Sequence, residues 1–529
     1  MKKIKTGKWS TLLAALVLTT GLGGVVQAAD YTTGLTGAYR TDNKLVKGDG
    51  SSVKQQGNET IYDFGGRDQS FSVVNQNAIS FSRAGNHFIV NNVDSNRNKG
   101  TITLRVQNTI PNAFGGATGL NIGSGTTTIH SDLDIQTKAD YLTQGVQVGG
   151  NGTLIIDGNV KMRKDDAENP WGVVTNNVHG NYGPGGYVTN DGLGYTGARW
   201  QPSGFYVGES RGNITVDGDV DIAIRGTAVL TNTYNGADVD PYDLSTITLN
   251  GSSIRIVTPD DERKSDGSFK EAYYSLASFG GTVNVNVKNG EAQNGNVYMI
   301  GNVIASKRSA GTSASDVYQD GRLNVALTTK DSYWKGVVDN FSKEQAGEVN
   351  VWLQNGAKWQ HEAASRTNGM DAANMPNYSR PNYGLYDHVS YIHHFYGGTS
   401  SDKTGYLTQN HESQIHIDNY SGYATVIYQH NGSGMEKTDY IGGDTTIVHA
   451  VTGSNITLAT GNNGVDINDS NAVAKVLNAL ASKLIYSNYR NGESNLSGTV
   501  ISASGLTASS VKADVSGMIT FDKKTGAGT

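Results

Sequence analysis

The chain has 529 residues, no cysteine, 68 glycines and 8 prolines, with 17% charged residues and a formal net charge of −6. These values exclude a disulfide scaffold, a collagen-like or proline-rich rod, and the basic surface that attracts nucleic acid or anionic lipid. Hydrophobic residues at 36% leave a polar, weakly charged chain of Gly, Asn, Thr and Ser, which resists helix and favours strands with tight turns.

The first elements are those of a signal peptide. Lys2, Lys3, Lys5 and Lys8 precede an apolar run from Leu12 to Leu22, and Val26-Gln27-Ala28 offers small residues where a signal peptidase reads. Cleavage is expected after Ala28, which takes the net charge to −10. A membrane-spanning helix needs about 20 apolar residues, more than this run supplies. A mature chain of this length buries enough core without disulfides, and lack of thiols suits passage through an oxidising compartment. The 27 tyrosines against 11 phenylalanines predict many half-wet aromatic side chains.

Short alternating segments then follow one another: 101–106, 126–129, 133–135, 153–156, 160–162, 213–216, 220–224, 246–249, 254–256, 282–287, 323–327, 349–353, 414–417, 445–448 and 455–458. Alternation of this length puts one apolar row on an inward face, and the Asn-Gly or Asp-Gly pairs between segments supply positive φ for sharp turns. Copies begin about 25–40 residues apart, the range of one coil of a repeat architecture. Hairpins in a sandwich also fit the local pattern, but sandwiches do not extend this far without a linker. The expected fold is all-β, a right-handed parallel β-helix over 29–469, with about 15–20 coils and a length of about 70–100 Å. Segments 164–207 and 362–412 lack alternation and read as long loop insertions that carry contact function.

One helix is expected over 470–491. Val473, Val476, Leu477, Leu480 and Leu484 fall at helical spacing, Asn471 is the candidate cap, and Asn491-Gly492 is the stop. Its polar face, with Lys475 and Lys483, suits a cover over the last coils better than a membrane-surface helix. A terminal β segment completes the chain over 492–529.

Several stretches resemble the passenger domains of bacterial autotransporters, the adhesin-like proteins of type V secretion. They are 334–339, 347–359, 415–423 and 443–447. The tail, with 476–484, 495–498 and 505–510, is similar to the passenger type of diderm Firmicutes. The resemblance implies a β-helix displayed at the cell surface. Such proteins end in a membrane β-barrel of about ten-residue strands, for which nothing after Gly492 qualifies. The expected barrel is therefore missing in cis and is supplied in trans, if at all.

Candidate chemistry is sparse. Gly208-Glu-Ser210-Arg-Gly212 matches a nucleophile elbow, but that motif needs a helix after the serine, and alternation follows instead. Six of the eleven histidines lie between His388 and His430. His388, Tyr391, His393, His394 and Tyr396 form a candidate contact loop; no carboxylate at ligand spacing makes it a metal site. Acidic groups at Asp165-Asp166, at Asp238, Asp240 and Asp243, and at Asp260-Asp261-Glu262 sit in loop sequence without the basic partners a lyase needs. No catalytic residue, metal, cofactor or nucleic acid is expected. The function expected is display: an exported surface or secreted protein, at the outer membrane or extracellular, that contacts a glycan or a host or cell-surface protein. The alternatives are a β-helix polysaccharide lyase or hydrolase and a passive structural surface layer.

Overall fold

The computed structural model describes residues 29–31, 34–36, 51–109, 117–139, 144–163, 203–208, 211–224, 227–232, 245–258, 274–278, 280–305, 320–339, 346–362, 389–410, 414–430, 434–460, 469–487, 496–503 and 512–514. The described residues are mostly strand, and the strands pair overwhelmingly in parallel, as expected of an all-β chain.

The pairing forms three in-register ladders that the chain visits in turn. Gln144–Val148 lies in one, Thr153–Ile156 in the next and Val160–Arg163 in the third; then Ser203–Gly208, Gly212–Val216 and Val220–Ala223 pair onto those same three strands. The ladder through Val160–Arg163 is a separate sheet running from Ala29–Tyr31 to Leu496–Ala503. The other two are joined. Ile79–Asn91 and Thr118–His130 are long enough to pair in both, with register breaks between, so the pairing path of this sheet closes on itself without forming a cylinder of strands. Val389–Tyr396 and Gln414–Ser421 span both ladders again further along.

Period-2 alternation explains the core. One register column of the separate sheet reads Phe71, Leu104, Ile135, Met162, Ile222, Ile256, Met299, Trp334, Trp359, Leu407, Val426 and Leu458, every one buried. Each such side chain contributes about 1.5–3 kcal/mol of burial, and each strand shares its inward residue with neighbours on both sides. Tyrosine follows expectation in part, with Tyr31, Tyr333, Tyr391, Tyr396 and Tyr423 half-buried. Tyr62, Tyr274, Tyr420, Tyr428 and Tyr486 are fully buried rather than half-wet. Two of these hydroxyls reach the other sheet: Tyr420 Oη donates to the Asn455 carbonyl at 2.8 Å, and Tyr428 Oη bonds Thr445 Oγ1 at 2.7 Å.

The Gly-containing turns divide into two kinds. Asn289-Gly290 and Asn355-Gly356 have positive φ at both residues, as a sharp turn requires. At Gly158, Gly218, Gly251 and Gly295 the reason differs from expectation. These glycines stack, and a Cβ on Gly218, Gly251 or Gly295 would overlap the carbonyl of the preceding one. Side chains at the corners tie successive turns: Asp132 Oδ1 accepts from Asn159 N at 2.8 Å, Asn159 Oδ1 from Asp219 N at 2.9 Å, and Asp219 Oδ1 from Ser253 N at 2.9 Å. Close approach of successive turns, not left-handed backbone, selects glycine there.

Three boundaries move. Ser203–Gly208 falls at the end of the expected loop 164–207, and all six residues are buried. Both faces are covered, as Tyr206 belongs to a second apolar cluster with Leu230, Tyr274, Ala277 and Ile304, so alternation vanishes from the sequence. Val389–Tyr396 and Gly405–Gln409 likewise turn the end of 362–412 into strand. The helix is shorter than 470–491, running Ser470–Ala481, with Asp469 rather than Asn471 as its cap. Leu484, at helical spacing, begins the strand Leu484–Tyr486 instead. Lys483 lies past the helix end, only 5% exposed, and its Nζ donates to the Gly442 carbonyl at 2.6 Å. The helix packs Val476, Ala479, Leu480 and Ala481 inward. Among the described residues, no helix is long and apolar enough to cross a membrane.

Candidate functional site

Four of the five candidate contact residues, Tyr391, His393, His394 and Tyr396, stand on Val389–Tyr396, a strand and not a loop; His388 lies outside the described residues. Ser390, Ile392 and Phe395 point inward, which turns Tyr391, His393 and Tyr396 outward. The alternation slips at His393-His394, where both rings are half-exposed and the strand passes from one ladder to the other.

Register brings the neighbours. Tyr396 lies opposite Trp352 on Glu348–Leu353, and the rings stack at 4.5 Å with 17° between planes. His394 lies parallel to Tyr396 at 5.6 Å, and His393 meets His394 edge-on at 4.4 Å. On the following strand, Gln414–Ser421, Asp418 reaches both His393 Nδ1 at 3.5 Å and His416 Nε2 at 3.1 Å. Below, Arg322 and Glu348 are register partners joined at 2.6 Å.

The electrostatics of the two adjacent histidines are opposed. The Asp418 hydrogen bond holds His393 above the usual imidazole value, partly offset by burial. Burial, then the charge of His393, pushes His394 below it. Burial also raises the Tyr396 phenol. The result is an outward patch with a stacked aromatic pair, two adjacent imidazoles shifted in opposite directions, and a fixed guanidinium–carboxylate pair. It offers donors, acceptors and ring surfaces on rigid strands, which is the chemistry of contact. Among the described residues, no three His, Asp or Glu side chains are arranged to hold a metal ion.

Trp352, Arg322, Glu348 and Asp418 were not legible as site members, because each joins through strand register across 25 or more residues of sequence. At the nucleophile-elbow motif, Gly208 ends one strand and Gly212 opens the next, Gly212–Val216, so the required helix is absent; Ser210 itself is outside the described residues. The acidic groups at 165–166, 238–243 and 260–262 and the signal segment to Ala28 also lie outside them. Comparison of the chain with protein-family models, curated proteins and solved structures finds no match.

Proposed function

We propose that the chain is an exported, adhesin-like surface or secreted protein, a right-handed parallel β-helix that displays contact residues to a host surface, another cell or a glycan. The ordered visiting of three parallel ladders supports the coiled reading, since each turn of chain adds one strand to each face. The single observation that carries the display reading is the outward Trp352–Tyr396–His394 patch beside Arg322, Glu348 and Asp418.

The test is expression of the full chain in a diderm bacterium, followed by N-terminal sequencing and binding of the purified product to cells and glycan arrays. A product starting at Ala29 that loses binding on Trp352→Ala or Tyr396→Ala supports the proposal. Cytoplasmic retention with the leader intact, or binding untouched by both variants, overturns it. A polysaccharide-cleaving alternative draws on the two carboxylates, Glu348 and Asp418, that act on His393. Release of new reducing ends from a retained glycan would favour it.

A further inference from the structure

A second outward row lies on the separate sheet, away from the histidine patch. Arg255, Tyr298, Tyr333, Lys358 and Tyr406 are successive register partners on five neighbouring strands. Tyr298 and Tyr406 are 40% and 37% exposed, and they are the exposed large aromatic side chains among the described residues. Three strand steps separate them, about 14 Å. The row is rigid, because the residues beside it, Trp334 and Trp359, stack inside the core at 4.4 Å with 6° between planes.

Arg255, Tyr298 and Tyr333 are each placed by a neighbour. The Arg255 guanidinium sits 6.0 Å from the Tyr298 ring centre and is tied to Asp221 at 3.0 Å. Tyr333 tilts against Tyr298 at 5.6 Å, and its hydroxyl donates to Gln360 Oε1 at 2.5 Å. Beside the row, Lys335 pairs with Glu362 at 3.3 Å. Lys358 differs from these three. It is exposed between the Tyr333 and Tyr406 positions, and no described carboxylate pairs with it.

We infer that this row binds a linear acidic glycan lying across the stacked strands, with sugar faces on Tyr298 and Tyr406 and a uronate carboxylate on Lys358. A row one residue wide cannot supply the roughly 800 Å² per partner of a stable protein interface. Nor is it the polybasic or broad apolar face that holds a membrane. A pyranose ring has an apolar face for an aromatic ring and hydroxyls at its rim for Gln360, Thr408 and Lys335. Lys358 adds the charge preference, and it does so locally on a protein whose overall charge is −6. The inference stands on this row alone and does not depend on the exported-display reading.

The test is calorimetric titration of the full chain with hexagalacturonate and with its methyl ester, which keeps the backbone and removes the charge. Hyaluronan and alginate hexasaccharides serve as further acidic probes. An acid should bind about 3- to 5-fold tighter than the ester at low salt. Lys358→Gln should erase that difference, and Lys358→Arg should keep it. Tyr406→Ala and Tyr298→Ala should each weaken acid and ester alike by about 5- to 10-fold. All three positions are solvent-facing, so circular dichroism should be unchanged by these substitutions. Absence of binding by all three acidic probes at millimolar concentration, or binding indifferent to these variants, overturns the inference. Equal binding of acid and ester that still depends on the tyrosines overturns its acidic part.

Discussion

His361 and Ser390 meet inside the protein, Nε2 to Oγ at 2.9 Å, with both residues wholly buried. The Gln409 amide places the proton on Nδ1. Gln409 uses its amide N–H on the Gly443 carbonyl at 3.1 Å, which leaves its Oε1 to accept from His361 Nδ1–H. Ser390 Oγ also accepts from Val338 N at 3.1 Å and donates to the Val338 carbonyl at 3.0 Å, so the serine is held by strand backbone as well as by the imidazole. The arrangement resembles a catalytic relay, but with no access to solvent it serves the interior as a polar cross-link between strands. His361→Leu removes the imidazole from Gln409 Oε1, at about 1–3 kcal/mol, while Ser390 keeps its two bonds to Val338. The loss should appear in hydrogen exchange of Lys358–His361, Val389–Tyr396 and Gly405–Gln409. Adding Ser390→Ala should cost less than the sum of the two single changes, since one interaction is then removed twice.

The two stacked tryptophans are also held by their ring N–H groups. Trp334 Nε1 donates to the Gly301 carbonyl at 3.0 Å and Trp359 Nε1 to the Gly336 carbonyl at 2.9 Å. Trp359→Phe keeps an aromatic ring but orphans a buried carbonyl and leaves a gap. A loss of about 1–3 kcal/mol follows, together with collapse of the coupled near-ultraviolet circular dichroism of the pair. Unchanged stability and spectrum would count against the stack as a structural unit.

Strand existence was legible because alternation is local. The segments at 101–106, 246–249 and 349–353 are found as Thr101–Asn108, Ser245–Leu249 and Glu348–Leu353. What failed was whatever depends on the third dimension. Ser203–Gly208 hides its period because an apolar cluster covers its outer face, and Tyr396 finds Trp352 only through a register that no local pattern encodes. The stacked glycines show the same limit: the residue type was read correctly, while its reason, contact with the turn one strand away, lies outside the local sequence. Candidate residues Tyr391, His393, His394 and Tyr396 do come together, since four residues of one strand share an outward side without help from distant sequence.

The helix near the chain end depends on one side chain at its start. Asp469 Oδ1 accepts from Asn471 N at 3.0 Å and Ala472 N at 3.2 Å, where donors would otherwise lack partners. Asp469→Ala should cost about 1 kcal/mol, felt in exchange of Ser470–Ala481 and not in the tryptophan strands. Asp469→Asn or Asp469→Ser should recover most of it, because either can accept the same bonds. Equal loss for all three variants would assign the effect to charge rather than capping.

The histidine pair sets a pH window of its own. His393 is raised above 6.5 chiefly by its hydrogen bond to Asp418. Its stabilising contribution is therefore complete below 6.5 and is lost as pH rises through the folded-state value. His394 is lowered from 6.5, first by burial and then by the neighbouring charge. Its contribution is in place above 6.5 and is lost as pH falls through its lowered value. Between the two folded-state midpoints, one ring carries a proton and its neighbour does not, which presents a ligand with a donor and an acceptor side by side. Histidine nuclear magnetic resonance should resolve one midpoint on each side of 6.5. Asp418→Asn should lower the His393 midpoint by removing its main support. Coincident midpoints in the unaltered protein, or a His393 midpoint indifferent to Asp418→Asn, would show that the carboxylate does not govern the pair.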